Sequence, residues 1–374
     1  MKICYLGGIE SIHTQRWVNY FADRGHEVHL IFPASSHQID LKNVNLHTFQ
    51  YERIPLKIPL ISFFINSLLA LRYLRKLLGS IEPDILHVHY ISIYSLLAAR
   101  ASTCPLVVTP WGSDVLLAPK KSRVARWIVQ YVLKRADLIT TDGEHMKLPL
   151  VELGADSQKI VLVYFGVDID KFNPKQRNQR LREELGIFGS PMIISLRTFE
   201  LKHDIESLIT AIPLVLREVP EAKFVIAGDG SQKARLKELV KSLEVSQHVR
   251  FVGFISNDEL PQYLTSADIY VSTSLSDAGL AASTAEAMAC ALPVVITDFG
   301  DNRKWVEDGV GGFLVPLRSP EALASKVSYL LNNEGDRRNF GKINRQVITE
   351  RMSWRKEMAK MEKLYEELME RCRK

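Results

Sequence analysis

The chain has 374 residues, 46% hydrophobic and 24% charged, a composition that suits a globular protein with room for two cores and excludes disordered or fibrous classes. One uncharged, mostly apolar run, residues 58–71, is broken by Pro59, Ser62, Asn66 and Ser67 and falls short of the roughly 18 residues that span a bilayer. The net charge of +5 lies wholly in residues 1–175, which hold 20 Lys and Arg against 15 Asp and Glu, while the rest holds 28 of each.

Short β-branched runs alternate with longer amphipathic stretches. Strands are expected at 2–6, 27–32, 85–89, 106–109, 138–141 and 160–164, then at 192–196, 223–227, 249–252, 269–272 and 293–297. Several are continuously apolar, as strands covered on both faces by helices are, and the alternation predicts an α/β protein with two Rossmann-like, doubly wound parallel sheets facing a cleft. The polar segment 171–191 carries no strand signal and is read as the divide, giving domains 1–172 and 173–352. Residues 351–374 read as a charged helix, whose apolar positions Met358, Met361, Leu364, Tyr365 and Leu368 are expected to pack back on the first domain.

The opening MKICYLGG shows no charged-then-apolar leader, and Cys4, Cys104, Cys290 and Cys372 stand far apart without a CxxC. The expectation is a cytoplasmic chain without disulfides or zinc. Basic clusters at Arg72, Arg75 and Lys76, and at Lys120, Lys121, Arg123 and Arg126, suit an anionic partner, with peripheral contact at the inner membrane face among the choices. Ordinary solvated helix faces are the plainer alternative. No nucleic-acid motif accompanies them.

Candidate site residues fall just after strands, where ligands of such sheets bind. Gly7 and Gly8 follow the first strand, and His13 and Arg16 lie on the next helix. GxGxxG is absent there and at Gly228-Asp229-Gly230, which removes most support for NAD or FAD. After the fourth strand, Trp111-Gly112-Ser113-Asp114 either lines the cleft or places Asp114 as a helix cap. Arg197 follows strand 192–196 with Lys202 five residues on, two cations able to neutralise a diphosphate. In the small-residue segment Asp277, Gly279, Leu280, Ala281, Ala282, Ser283 and Glu286, free amides at a helix start suit an anion, and Glu286 suits a ribose. The alternative is that Ser283-x-x-Glu286 is a capping box.

The motifs ISLRTFELK, VIAGDG, VRFVGFISNDELPQYLTSADIYVSTS and AEAMACALPVVITDFGDNRKWVEDGVGGFLVP, with FGVDIDKFNP and SIHTQRW before them, resemble family 4 retaining glycosyltransferases of the GT-B fold. The resemblance is dense over 192–316 and looser before 190. It implies transfer of a sugar from a UDP- or GDP-linked donor to a sugar, lipid-linked or small-molecule acceptor, in glycan, glycolipid or envelope synthesis, without a metal and with no cofactor beyond the nucleotide-sugar. By position it implies Arg197 and Lys202 on the diphosphate and Glu286, the second acid of E-x7-E, on the ribose. Residues 280–283 would give amides to phosphate and sugar, Phe254 and Ile255 would meet the base, and the acceptor would lie in the first domain. The first acid of E-x7-E falls at Ala278, with Asp277 one residue back as its substitute. The family's usual cleft His is Trp111, and the common Asn before Gly166 is Phe165. A non-catalytic nucleotide-sugar-binding protein and a sugar-nucleotide epimerase are the alternatives.

Overall fold

A computed structural model of the chain describes residues 1–33, 39, 41–49, 59–176, 179–277 and 279–373, with backbone alone at 59–64, 176, 179 and 373. The chain forms two compact units, Met1–Tyr164 with Glu357–Lys374, and Phe165–Lys356.

The first unit is built on a seven-stranded parallel sheet in the order β3-β2-β1-β4-β5-β6-β7. The strands are β1 (Lys2–Leu6), β2 (Glu27–Pro33), β3 (Val44–Phe49), β4 (Ile85–His89), β5 (Leu106–Thr109), β6 (Leu138–Thr141) and β7 (Ile160–Leu162). Its helices are α1 (Ile12–Asp23), α2 (Pro59–Ile81), α3 (Ile93–Ala101), α4 (Ser113–Leu116), α5 (Ala118–Lys121), α6 (Arg123–Arg135) and α7 (Lys147–Glu152). The central strands β4, β5 and β6 are buried at every position, as strands covered on both faces are, and this burial takes in the polar His87, His89, Thr109, Thr140 and Thr141. β3 escapes the sequence pattern because it is the edge strand. Its residues VNLHTF alternate and only Phe49 is buried.

The second unit has a six-stranded parallel sheet in the order β10-β9-β8-β11-β12-β13. Its strands are β8 (Met192–Leu196), β9 (Lys223–Ala227), β10 (Val249–Gly253), β11 (Ile269–Ser272), β12 (Val294–Thr297) and β13 (Gly312–Val315). Its helices are α8 (Gln179–Glu184), α9 (Ile205–Glu218), α10 (Lys233–Ser242), α11 (Leu260–Ser266), α12 (Ala282–Ala289), α13 (Asn302–Trp305), α14 (Pro320–Asn332) and α15 (Glu334–Arg351). β13 is hidden in the sequence behind its leading Gly312, yet the glycine is required: a Cβ there would stand 2.1 Å from the Val294 carbonyl oxygen on the neighbouring strand.

The segment 171–191 lies inside the second unit. Arg182 of α8 is buried and donates to the carbonyl oxygens of Ser266 (2.7 Å) and Ser190 while pairing with Asp268 at 3.3 Å. The expected helix 351–374 is interrupted: α15 ends at Arg351, Val167 bridges Ser353 through bonds to Met352 and Trp354, and α16 (Trp354–Arg373) starts afresh. α16 then packs on the first unit, where Tyr365, fully buried, sits 5.2 Å from the Phe21 ring. Among the described residues no helix is long and apolar enough to cross a membrane.

Candidate functional site

In the second unit the topology places β11 beside β8, so the loops leaving their carboxyl ends meet. Arg197, one residue past β8, is half-buried, with its side chain 10% exposed. Its Nη2 donates to Asp277 Oδ1 (2.5 Å) and to Ser274 Oγ (3.1 Å), and lies 3.0 Å from His203 Nδ1. Burial works against the charged guanidinium, but Asp277 together with Tyr270 more than offsets it and holds the group above its ordinary pKa. Nε is buried without a partner and Nη1 has none among the described residues, so the ion pair anchors one end of the guanidinium and leaves the other unsatisfied.

The same two loops are stitched by backbone. Leu275 N–H donates to the Lys202 carbonyl (2.8 Å) and Thr273 Oγ1 to that of His203 (2.9 Å), which fixes half-buried Lys202 next to the Asp277 loop. The Gly228-Asp229-Gly230 turn closes on Arg197 from the β9 side. A Cβ on Gly228, at φ +143°, would meet the Arg197 carbonyl oxygen at 2.2 Å. Only glycine admits that approach, which is the use of the VIAGDG motif.

Glu286 lies in α12 and is buried. The capping-box reading of Ser283-x-x-Glu286 does not hold. α12 begins at Ala282 with Ala281 as N-cap and no side-chain cap bond, and the Ser283 hydroxyl is 2.8 Å from Tyr270 OH instead. Gly279 and Leu280 are buried, while Ala281, Ala282 and Ser283 are half-buried at the helix start. Ala278 lies outside the described residues. Past β10, Phe254 is 74% exposed while Ile255 is buried, so of the pair Phe254 is the one a ligand can reach. His203 and Ser274 were not singled out by the sequence. The signal available for His203 was its position next to Lys202.

In the first unit the carboxyl ends of β1, β4 and β5 gather a second cluster. The His13 ring stands edge-on to Trp111 at 5.7 Å, and Trp111 is 5.6 Å from His89. Gly7 is buried against the Cβ of His89, at 3.2 Å from a built Cβ, and Gly8 is exposed with open space around it. Asp114 neither lines an opening nor caps a helix. It is fully buried, with Oδ2 accepting from Ile91 N–H (2.8 Å) and Oδ1 from Trp111 N–H (3.1 Å), a clamp between the β4 and β5 loops. His89, missed by the sequence, bonds Thr14 Oγ1 through Nδ1 (3.2 Å) and keeps a buried Nε2 without a partner.

Burial holds three histidines neutral: His87 of β4 well below its ordinary range, His89 down to about 3 and His203 to about 2, the last aided by Arg197 and Lys202. Between those values and the unfolded value near ~6.5, the unfolded chain binds protons that the folded one refuses, so stability falls as pH drops through that window. Asp114, raised to about 6 by burial, acts oppositely below that pH, one group against three. We expect urea-unfolding free energy to decline from about pH 7 to about pH 5, by up to roughly 1.4 kcal/mol per pH unit for each histidine, and His89→Gln to flatten the slope. A flat profile in the parent protein would contradict the burial of these rings.

A cavity of about 430 Å³, lined by Trp305, Asn344 and Arg351 among others, involves none of the site residues above. Among the described residues no group of three or more His, Cys, Asp or Glu stands together as a metal site.

Comparison with known proteins gives a consistent class. The chain is 27% identical over 368 residues to an uncharacterized glycosyltransferase of Methanocaldococcus jannaschii, covering 97% of this chain and 95% of that protein. It is also 27% identical over 305 residues, 78% of each chain, to the GDP-mannose-dependent alpha-(1-6)-phosphatidylinositol monomannoside mannosyltransferase of Mycolicibacterium smegmatis. Among solved structures, Anabaena HepE in complex with UDP and glucose matches with a TM-score of 0.82 at 17% identity, over 98% of this chain and all of that one. Two Rossmann-like parallel-sheet units with these likenesses define a glycosyltransferase of the GT-B fold. The family models narrow it: "glycosyl transferase 4-like" matches residues 2–143 and "glycosyl transferases group 1" residues 177–347, and the chain belongs to the group 1 glycosyltransferases.

Proposed function

We propose that this enzyme moves a hexose from a UDP- or GDP-linked donor to a hydroxyl acceptor with retention of configuration and without a metal ion, in glycan, glycolipid or envelope synthesis. The observation that carries the reading is Arg197, a largely buried guanidinium anchored by Asp277 at one end, unsatisfied at the other, and held beside Lys202. In the transfer, the bond from the anomeric carbon to the diphosphate oxygen breaks and the bond to the acceptor oxygen forms on the same face. The leaving diphosphate oxygen takes the acceptor proton, so no protein nucleophile is needed. Charge grows on the diphosphate as the bond breaks, which is where two preorganised cations act most strongly. Glu286, buried one turn into α12 and not spent on capping, suits the paired ribose hydroxyls, and exposed Phe254 suits a base. The relatives support both donor bases: HepE was solved with UDP, and the mycobacterial enzyme depends on GDP-mannose.

A thermal-shift screen with UDP, GDP, ADP and CDP, with and without EDTA, tests this, because a ligand that binds the folded state raises apparent stability by mass action. We expect a rise with one of UDP or GDP that EDTA leaves unchanged, and its loss in Glu286→Ala. No response to any nucleotide would overturn the donor assignment. A response abolished by EDTA would overturn metal independence.

A further inference from the structure

One helix layer of the first unit carries charge of a single sign. α2 packs on α3, and both α3 and α5 pack on α6. These four helices contain ten Lys or Arg, three in α2, one in α3, two in α5 and four in α6, and not one Asp or Glu. A soluble surface ordinarily mixes both signs. Here Arg72, Arg75, Lys120, Arg123 and Arg126 are all exposed, and none pairs with a carboxylate among the described residues.

Apolar side chains stand among these cations. On α6, Val129, Val132 and Leu133 are buried, which accounts for one apolar stripe. A second stripe faces away from them: Val124 is 65% exposed and Trp127 51% exposed, with the Tyr131 ring 5.9 Å from that of Trp127. On α2, Leu68 is 58% exposed, one turn before Arg72. Helix packing needs only the inward stripe. Exposed Trp flanked by Arg and Lys on a helix is the arrangement that partitions into a lipid headgroup layer, where the indole is half-solvated and the cations meet phosphates.

We propose that the α2–α3–α6 layer docks on an anionic lipid surface, with Trp127 and Val124 entering the headgroup region and Arg72, Lys120, Arg123 and Arg126 lying against lipid phosphates. Charge complementarity chooses the occupant. The layer offers fixed positive charge and protruding apolar side chains, which suit a fluid anionic surface. The inference goes beyond the transfer reaction and does not depend on it.

The test is sedimentation of the full chain with vesicles of phosphatidylglycerol mixed with phosphatidylcholine, against phosphatidylcholine alone, at low and high salt. The protein is expected to bind the mixed vesicles at low salt, to leave them at high salt, and to ignore the neutral ones. The double variant Arg123→Glu, Arg126→Glu is expected to lower the partition coefficient at least about tenfold. Trp127→Ala is expected to lower it severalfold while keeping the salt dependence. All three side chains are exposed, and circular dichroism confirms that the variants fold. Binding to neutral vesicles as strong as to anionic ones, or no loss in the double variant, would overturn the proposal. So would vesicle binding unchanged by Trp127→Ala together with equal capture on heparin, which would mark a general polyanion surface. Nucleotide thermal shifts on the same variants keep the two proposals separate, since the charge reversal leaves the second unit untouched.

Discussion

Replacing Arg197 with alanine is expected to lower turnover by about 10²–10³-fold, the usual loss when one preorganised donor to developing charge is removed, equivalent to roughly 2.7–4 kcal/mol of transition-state stabilisation. The expectation rests on how the guanidinium is held. Asp277 and Ser274 fix Nη2, the Gly228 turn closes on its backbone, and a side chain only 10% exposed limits the screening of its charge by water. The variant should also leave the Asp277 carboxylate without its partner near the diphosphate, adding repulsion to lost attraction. Lys202→Ala is expected to cost at least about tenfold; its side chain is half-buried and its backbone position is set by Leu275, so the fold should survive. The measurement is donor consumption under saturating substrate, with circular dichroism on both variants. Unchanged turnover in both would remove the leaving-group mechanism.

The second large effect is on stability. Tyr365→Ala is expected to destabilise the protein by about 3–5 kcal/mol, the range for emptying a buried aromatic site. Tyr365 is fully buried, and its hydroxyl joins Tyr5 OH (3.0 Å) and His87 Nδ1. His87 continues through Nε2 to Thr109 Oγ1 (2.6 Å), which meets Thr140 Oγ1 (2.5 Å). This relay runs from α16 across β1, β4, β5 and β6, so it ties the last helix to four strands of the first unit. Tyr365→Phe keeps the ring and removes only the hydroxyl, leaving Tyr5 and His87 short of a buried partner, and is expected to cost about 1–3 kcal/mol. Urea unfolding of the two variants separates packing from polar satisfaction. A loss under about 1 kcal/mol in Tyr365→Ala would mean that the ring is not packed as described.

Much of the fold was written locally. Apolar runs such as those of β5, β8 and β12 are visible because central parallel strands are covered on both faces, and their neighbours in sequence record that burial. Edge and glycine-led strands were not visible. β3 alternates like any half-solvated segment, and Gly312 signals a turn unless the Val294 backbone beside it is known.

The site divides in the same way. Position after a strand was enough to single out Arg197, Lys202 and the segment that leads to Glu286, because ligands of such sheets bind at carboxyl ends. That Arg197 meets Asp277, eighty positions away, follows only from β11 lying beside β8. Whether Ser283-x-x-Glu286 forms a capping box turned on where α12 starts, and element ends are weakly encoded in short stretches. Asp114 looked equally like a cleft residue and a cap until burial made it a clamp between loops. Charge was countable from the sequence, but that the basic residues of α2, α3, α5 and α6 share one layer was not. Propensity, periodicity and charge act between near neighbours, so the chain alone determined most of its elements, its two parallel sheets and its candidate cations. Strand order and crossovers bring distant residues together, and only the tertiary structure decided which side chains pair, which are buried neutral and which remain available to a ligand.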